Sequence, residues 1–205
     1  HRIKFILRKY TMIYLILYIF ISQFQTMNNT LYLITSIYPY EETFLKTEIR
    51  YLAKNFKRII IITNHRGNKV KLNLTNNVEV ISHSYDLSKK EKTKALFQIF
   101  FPLFWKELIG SKKRHKFSKR AINTIILSLY RGKKLAKLLS FLSSQQDLTT
   151  KIHAYSYWCN DMALGIAIFK KNNPKSVCIT RTHGSDIYHE ASTCNYLPFR
   201  SYIAN

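Results

Sequence analysis

The chain has 205 residues, 46% hydrophobic and 21% charged, with only five glycines and four prolines. That balance suits one medium-sized domain with a real core and excludes a disordered, loop-rich or solenoid protein. Thirty-three lysines and arginines against eleven acidic residues give a formal net charge of +22, a field that selects polyanionic partners: nucleic acid or an anionic membrane surface.

Residues 1–27 stand apart. The chain starts at His1, and Arg2, Lys4, Arg8 and Lys9 precede an apolar run from Met12 to Ile21. The charge pattern is that of a signal peptide, but no small-residue cleavage site follows, and the run is short of the ~20 residues that span a bilayer. Two readings stand: translated upstream sequence with Met27 as the natural start, or a weak hydrophobic anchor. The domain proper is expected over residues 28–205.

From there strands and helices alternate. Thr30 to Thr35 predicts a strand, and residues from about Glu41 to Phe56 predict a helix with Leu45, Ile49 and Leu52 on one face. Arg58 to Asn64 contains Ile59-Ile60-Ile61-Ile62, a continuous β-branched run expected of a strand buried on both faces. Val78 to Ser82 is a third strand. Residues from about Ser88 to Ser144 read as mostly helical, with breaks expected near Pro102 and Gly110. Ile152 to Ser156, Asp161 to Lys171 and Ser176 to Thr182 add a strand, a short apolar helix and a fifth strand. This order predicts an α/β fold with a Rossmann-like, doubly wound, mostly parallel sheet. Chemistry in such sheets collects at the carboxyl ends of strands, here residues 36–43, 64–68, 83–86, 156–161 and 182–190.

The cysteines, Cys159, Cys178 and Cys194, are odd in number and lack metal-ligand spacing, which predicts reduced, partly buried thiols in a cytoplasmic protein. No metal site is expected. No G-x-G-x-x-G or Walker A sequence occurs, which argues against a dinucleotide cofactor or ATP. Basic residues concentrate between Lys106 and Lys137, among them Lys112, Lys113, Arg114, Lys116, Lys119 and Arg120, with Glu107 alone opposing them. Directly upstream lies the aromatic run Phe97 to Trp105. Aromatic residues beside lysines suit an anionic bilayer interface, so Trp105 and those six basic residues are the expected membrane-docking set. A core-packing aromatic run with a solvated basic face is the plainer alternative.

The last strand end is the richest: Thr180-Arg181-Thr182-His183-Gly184-Ser185-Asp186-Ile187-Tyr188. It places an imidazole at the sheet's carboxyl edge, a glycine that permits a turn or a close ligand, and a carboxylate that can orient neighbours or cap a turn. Together with Tyr196-Leu197-Pro198-Phe199-Arg200, this segment resembles the close of the N-terminal domain in glycosyltransferase family 4. The stretch from Ser36 to Ile49, with Glu41-Glu42-Thr43-Phe44-Leu45 and Glu48, resembles that family's first strand-to-helix segment, and Tyr155-Ser156-Tyr157-Trp158 its "YSYW". The resemblance spans about Leu31 to Asn205, with the middle third poorly matched.

The resemblance implies the N-terminal half of a GT-B fold in a retaining hexosyltransferase-type enzyme of bacterial capsule, exopolysaccharide or lipopolysaccharide synthesis. The substrates implied are a nucleotide-sugar donor and a lipid-linked glycan acceptor, with no cofactor. His183 would be the catalytic residue, hydrogen-bonding the donor sugar or stabilising charge as the glycosidic bond breaks; no protein nucleophile is assigned. Glu42, Thr43, Tyr157, Trp158, Arg181, Gly184 and Asp186 would line donor or acceptor. Arg200 would serve a phosphate or tie down the last helix. The family's first loop usually carries glycine, and Ile37-Tyr38-Pro39-Tyr40-Glu41 has none.

The chain is expected to stop before the donor-binding domain, and so to be inactive alone. The expected location is cytoplasmic, peripheral on the inner face of the cell membrane, with no nucleic acid as partner. A basic nucleic-acid- or membrane-binding α/β module without catalysis is the competing reading, although a zinc motif and an RNP-like aromatic strand are missing.

Overall fold

A computed structural model describes residues 28–38, 43–64, 75–112, 118–192 and 194–205; for Thr43, Phe44, Ser111, Lys112 and Ala191 it describes the backbone alone. The leader, Glu42, Lys113, Arg114 and Lys116 therefore lie outside the described residues. Five strands form one sheet: β1 (Asn29–Thr35), β2 (Arg58–Thr63), β3 (Val78–Ser82), β4 (Lys151–Ser156) and β5 (Val177–Thr180). Their order is β3-β2-β1-β4-β5 and every pairing is parallel, with Leu33 opposite Ile61 on one side and Tyr155 on the other. The fold is α/β and Rossmann-like.

Alternation along the two central strands divides the core in two. Leu31, Leu33, Ile59 and Ile61 face one way and pack with Leu45, Ile49 and Leu52 of α1 (Thr43–Leu52). Tyr32, Ile34, Ile60 and Ile62 face the other way. They meet α4 (Lys119–Ser144) through Leu135 and Leu139, and α5 (Asp161–Asn172) through Ile166 and the fully buried Phe169. Helices on both faces explain why the isoleucine run is apolar at every position rather than at alternate ones.

The two long helices close on each other through paired glycines. An added Cβ at Gly132 would sit 2.8 Å from Leu164 Cγ, and one at Gly165 would sit 2.7 Å from Leu135 Cδ2. Each glycine thus receives the other helix's leucine.

One expectation about a helix end needs correcting. α1 begins at Thr43 and stops at Leu52 rather than reaching Phe56; turns 53–55 follow, with Asn77 Nδ2 tied to the Ala53 and Phe56 carbonyls. A helix does end near Gly110, at Lys112, and the next begins at Lys119. α2 (Lys89–Ala95) and a 3₁₀ turn (Leu96–Phe100) precede α3, which starts at Pro102 and runs through Gly110 to Lys112. Proline is well placed as a first helical residue. Gly110 is exposed with nothing within 4 Å of a Cβ position, so its helix penalty of about 1 kcal/mol is all that it imposes. Beyond β5 come α6 (Gly184–Ile187) and α7 (Arg200–Ala204), the latter packed with α3 and the first half of α4 around Phe104, Ile125, Leu129 and Phe199. Among the described residues no helix is long and apolar enough to cross a membrane.

Candidate functional site

The strand-end segments after β4 and β5 come together as a cluster of rings. The loop after β4 carries Tyr157 and Trp158, the loop after β5 carries Arg181 and His183, and strand pairing continues past both ends: Tyr157 N donates to Ile34 O, and Arg181 N to Ser156 O. His183 and Trp158 stack with ring centroids 4.2 Å apart at 33°, and Tyr157 meets Trp158 edge-on at 5.8 Å. The His183 Nε2 lies 3.0 Å from the Tyr157 carbonyl. A carbonyl can only accept, so Nε2 carries the proton, and in the neutral ring Nδ1 carries the lone pair.

Asp186 holds this pair in place. It is only 7% exposed, and its Oδ2 accepts hydrogen bonds from His183 N and from Cys159 N, both at 3.1 Å. Its Oδ1 lies 4.0 Å from Arg200 Nη2, while Arg200 Nη1 reaches Cys159 Sγ at 3.4 Å. One carboxylate therefore ties together the β4 loop, the β5 loop and α7. Of the two roles open to Arg200, the geometry supports tying down the last helix. Asp186, expected to line donor or acceptor, is engaged here by internal partners.

Arg181 is also turned to internal partners. Its guanidinium lies 5.0 Å from the Tyr157 ring centroid, a cation–π distance, and 3.6 Å from Glu48 Oε2. Burial works against the Arg181 charge, but Tyr155, Tyr157 and Glu48 outweigh it and raise its pKa. Burial, with Glu48 beside it, pushes the Tyr155 hydroxyl well above the ordinary phenol range, so it acts as a neutral hydrogen-bonding group.

Glu48 and Glu107 brace these loops although neither is among the expected site residues: Glu48 enters the sequence reading only within the resemblance of residues 36–49, and Glu107 only as the one acid of the basic stretch. Glu48 sits three residues after Leu45 and four before Leu52, on the apolar stripe of α1. A carboxylate on a buried stripe is a signal that was available. Glu107 accepts from Phe199 N at 2.7 Å and from the Tyr196 hydroxyl. Phe199 is fully buried with φ of 61°, a left-handed conformation unusual for a bulky residue, and Glu107 is what its backbone N–H binds. That turn delivers Arg200 to Asp186.

The remaining expectations divide. Gly184 does not have a positive φ, and a Cβ there would meet only Tyr188 at 4.0 Å; the turn itself does not require glycine. Thr43 opens α1, and Glu42 lies outside the described residues. The β3 end is pinned by structure: Arg131 binds the Tyr85 carbonyl and Asp161, and Lys134 binds Glu91, so these two members of the basic stretch serve internal partners. Trp105, Lys119 and Arg120 are exposed, and Lys112 ends α3. All three cysteines are free, and among the described residues no cluster of three His, Cys, Asp or Glu side chains could hold a metal. A groove of about 780 Å³ runs between α3, α5, β5 and α7, lined by Lys106, Ile166, Lys170, Ile179 and Tyr202 among others and by none of the expected site residues.

No family model matches the chain, and no curated protein matches it. Among solved structures it is similar to a short-chain dehydrogenase/reductase from Burkholderia vietnamiensis at 8% identity and a TM-score of 0.39, covering 78% of this chain and 88% of that one. At that identity and score the overlap carries no functional argument.

Proposed function

We propose that this chain is the acceptor-side domain of a retaining, nucleotide-sugar-dependent glycosyltransferase that extends a lipid-linked glycan in bacterial surface polysaccharide synthesis. The observation that carries the reading is the His183–Trp158 stack at the carboxyl edge of the sheet, 4.2 Å between centroids and fixed from behind by Asp186. Carboxyl strand ends are where parallel α/β sheets bind ligands. A fixed aromatic plane beside a nitrogen lone pair suits a sugar, whose C–H faces lie on rings and whose hydroxyls donate hydrogen bonds.

With Nε2 directed to the Tyr157 carbonyl, His183 meets a ligand through Nδ1. It orients a sugar hydroxyl, and no covalent step is assigned to it. Arg181, neutralised by Glu48, shapes the β5 loop.

The test is transfer of labelled sugar, from a panel of nucleotide sugars to membrane-extracted lipid acceptors, by the product of the complete reading frame containing this chain. His183→Ala is expected to lower transfer by about tenfold or more with the fold intact. Undiminished transfer in that variant would remove His183 from the mechanism, and no transfer by the unaltered protein with any donor would remove the reading.

A further inference from the structure

The segment from Leu96 to Ile109 is built inside out. In the 3₁₀ turn the polar residue, Gln98, is buried at 7% exposure with its Oε1 lacking a hydrogen-bond partner. Its neighbours Phe97 and Phe100 stand 61% and 74% exposed. The pattern continues into α3, where Phe104 turns inward while Trp105 and Ile109, spaced four apart, share the outward face. The indole Nε1 of Trp105 donates to Ile99 O at 2.7 Å, so its one polar atom is used by the backbone and the ring presents carbon. Scattered exposed apolar residues are ordinary, but a contiguous ridge of them beside a buried glutamine marks a surface made for something other than water.

Charge selects the occupant. Lys92 and Lys94 on α2, Lys106 on α3, and Lys119 and Arg120 at the start of α4 are all exposed. From Lys92 to Gln146 the sequence has thirteen basic residues and one acidic residue, Glu107, and that carboxylate is turned inward to Tyr196 and Phe199. A second copy would set these basic rims against one another. Nucleic acid would take the lysines and stack on aromatic faces, but it offers no apolar volume to Leu96 and Ile109. A bilayer with anionic headgroups satisfies both halves of the surface.

We infer that the outward face of Leu96–Ile109 docks on an anionic lipid bilayer, with Phe97, Phe100 and Trp105 entering the interface and the flanking lysines meeting the headgroups. The surface is separate from the His183 cluster, and vesicle binding reads it without reference to sugar transfer.

The experiment is co-sedimentation of the full chain with phosphatidylglycerol–phosphatidylcholine vesicles and with phosphatidylcholine vesicles alone. Binding is expected with the anionic vesicles only. The pairs Phe97→Ser/Phe100→Ser and Lys92→Glu/Lys94→Glu should each lower partitioning about tenfold, with unchanged circular dichroism. Should the phenylalanine pair fail to fold, Ile109→Ser carries the same reading. Three results would overturn the inference. One is binding indifferent to the apolar substitutions, which would put it in residues 1–27 or in charge alone. Another is a concentration-dependent dimer, seen by sedimentation velocity, that those substitutions abolish. The last is no vesicle binding, with or without binding of a DNA oligonucleotide.

Discussion

The loops after β4 and β5 and the ridge from Leu96 to Ile109 are opposites. At the strand ends a carboxylate is drawn inside and given partners: Asp186, almost fully buried, accepts two backbone N–H groups and faces Arg200. On the ridge phenylalanines stand outside while Gln98 goes in. Both invert the usual partition of polar and apolar groups, but they do so at opposite energetic signs. Burying Asp186 is tolerated because its Oδ2 accepts two backbone N–H groups and its Oδ1 faces Arg200, which holds the two loops together. Exposing Phe100 contributes nothing to the fold in water, so its placement has to be explained by what it touches. A buried polar group that is satisfied speaks of positioning; an exposed apolar group that is not speaks of a partner.

That contrast can be broken most forcefully at Asp186. Asp186→Ala leaves two backbone donors and Arg200 without their acceptor, and urea denaturation should show a loss of about 3 kcal/mol. A loss under about 1 kcal/mol would mean that the loops are held by other contacts. His153 sharpens the same comparison from inside the sheet, where it packs edge-on against Phe56. Burial, with Lys151 nearby, holds its imidazole down at about 4 from an ordinary 6.5. The unfolded chain therefore takes up a proton below about pH 6.5 that the native chain refuses until about pH 4. Stability present above pH 6.5 is lost as pH falls through that window. His153→Phe should remove roughly 1–2 kcal/mol of the difference in unfolding free energy between pH 7 and pH 4.5. His83, lowered to about 4 by burial and Lys134, should retain its own share. The smallest effect belongs to the ridge: Phe100→Ser should leave the unfolding free energy within about 0.5 kcal/mol of its starting value. A loss of 2 kcal/mol or more would show that the ring packs after all.

The strands were legible because their cause is local. Four consecutive isoleucines have one good use in a chain of this length, and the sheet puts them at its centre between helices on both faces. The meeting of Trp158 and His183 was half legible: both fall at strand ends, but their contact depends on β5 pairing with β4, which no short window encodes. Asp186 was visible as a polar residue in a rich motif, and one partner, His183, lies in that motif, while Cys159 and Arg200 come from two other segments. Glu107 lay in plain view as the one acid in a basic stretch. Its task of holding Phe199, ninety-two positions onward, is a tertiary fact. The aromatic run from Phe97 to Trp105 was equally conspicuous, yet composition alone cannot say which rings face outward. Only the burial of Gln98 reveals the inversion.

The interlocked glycines and leucines of α4 and α5 bear on how this sequence can vary over evolutionary time. Most positions on two amphipathic helices drift freely within a polar or apolar class, but Gly132 and Gly165 sit where even a methyl group collides with the opposite helix. In a saturation library these two should be the least permissive positions on their helices, despite glycine being a poor helix former at both. A larger residue at 132 would be admitted only beside a smaller one at 164, and at 165 only beside a smaller one at 135. Substitutions there should therefore arrive in couples, and the coupling would mark the α4–α5 contact in any diverged relative.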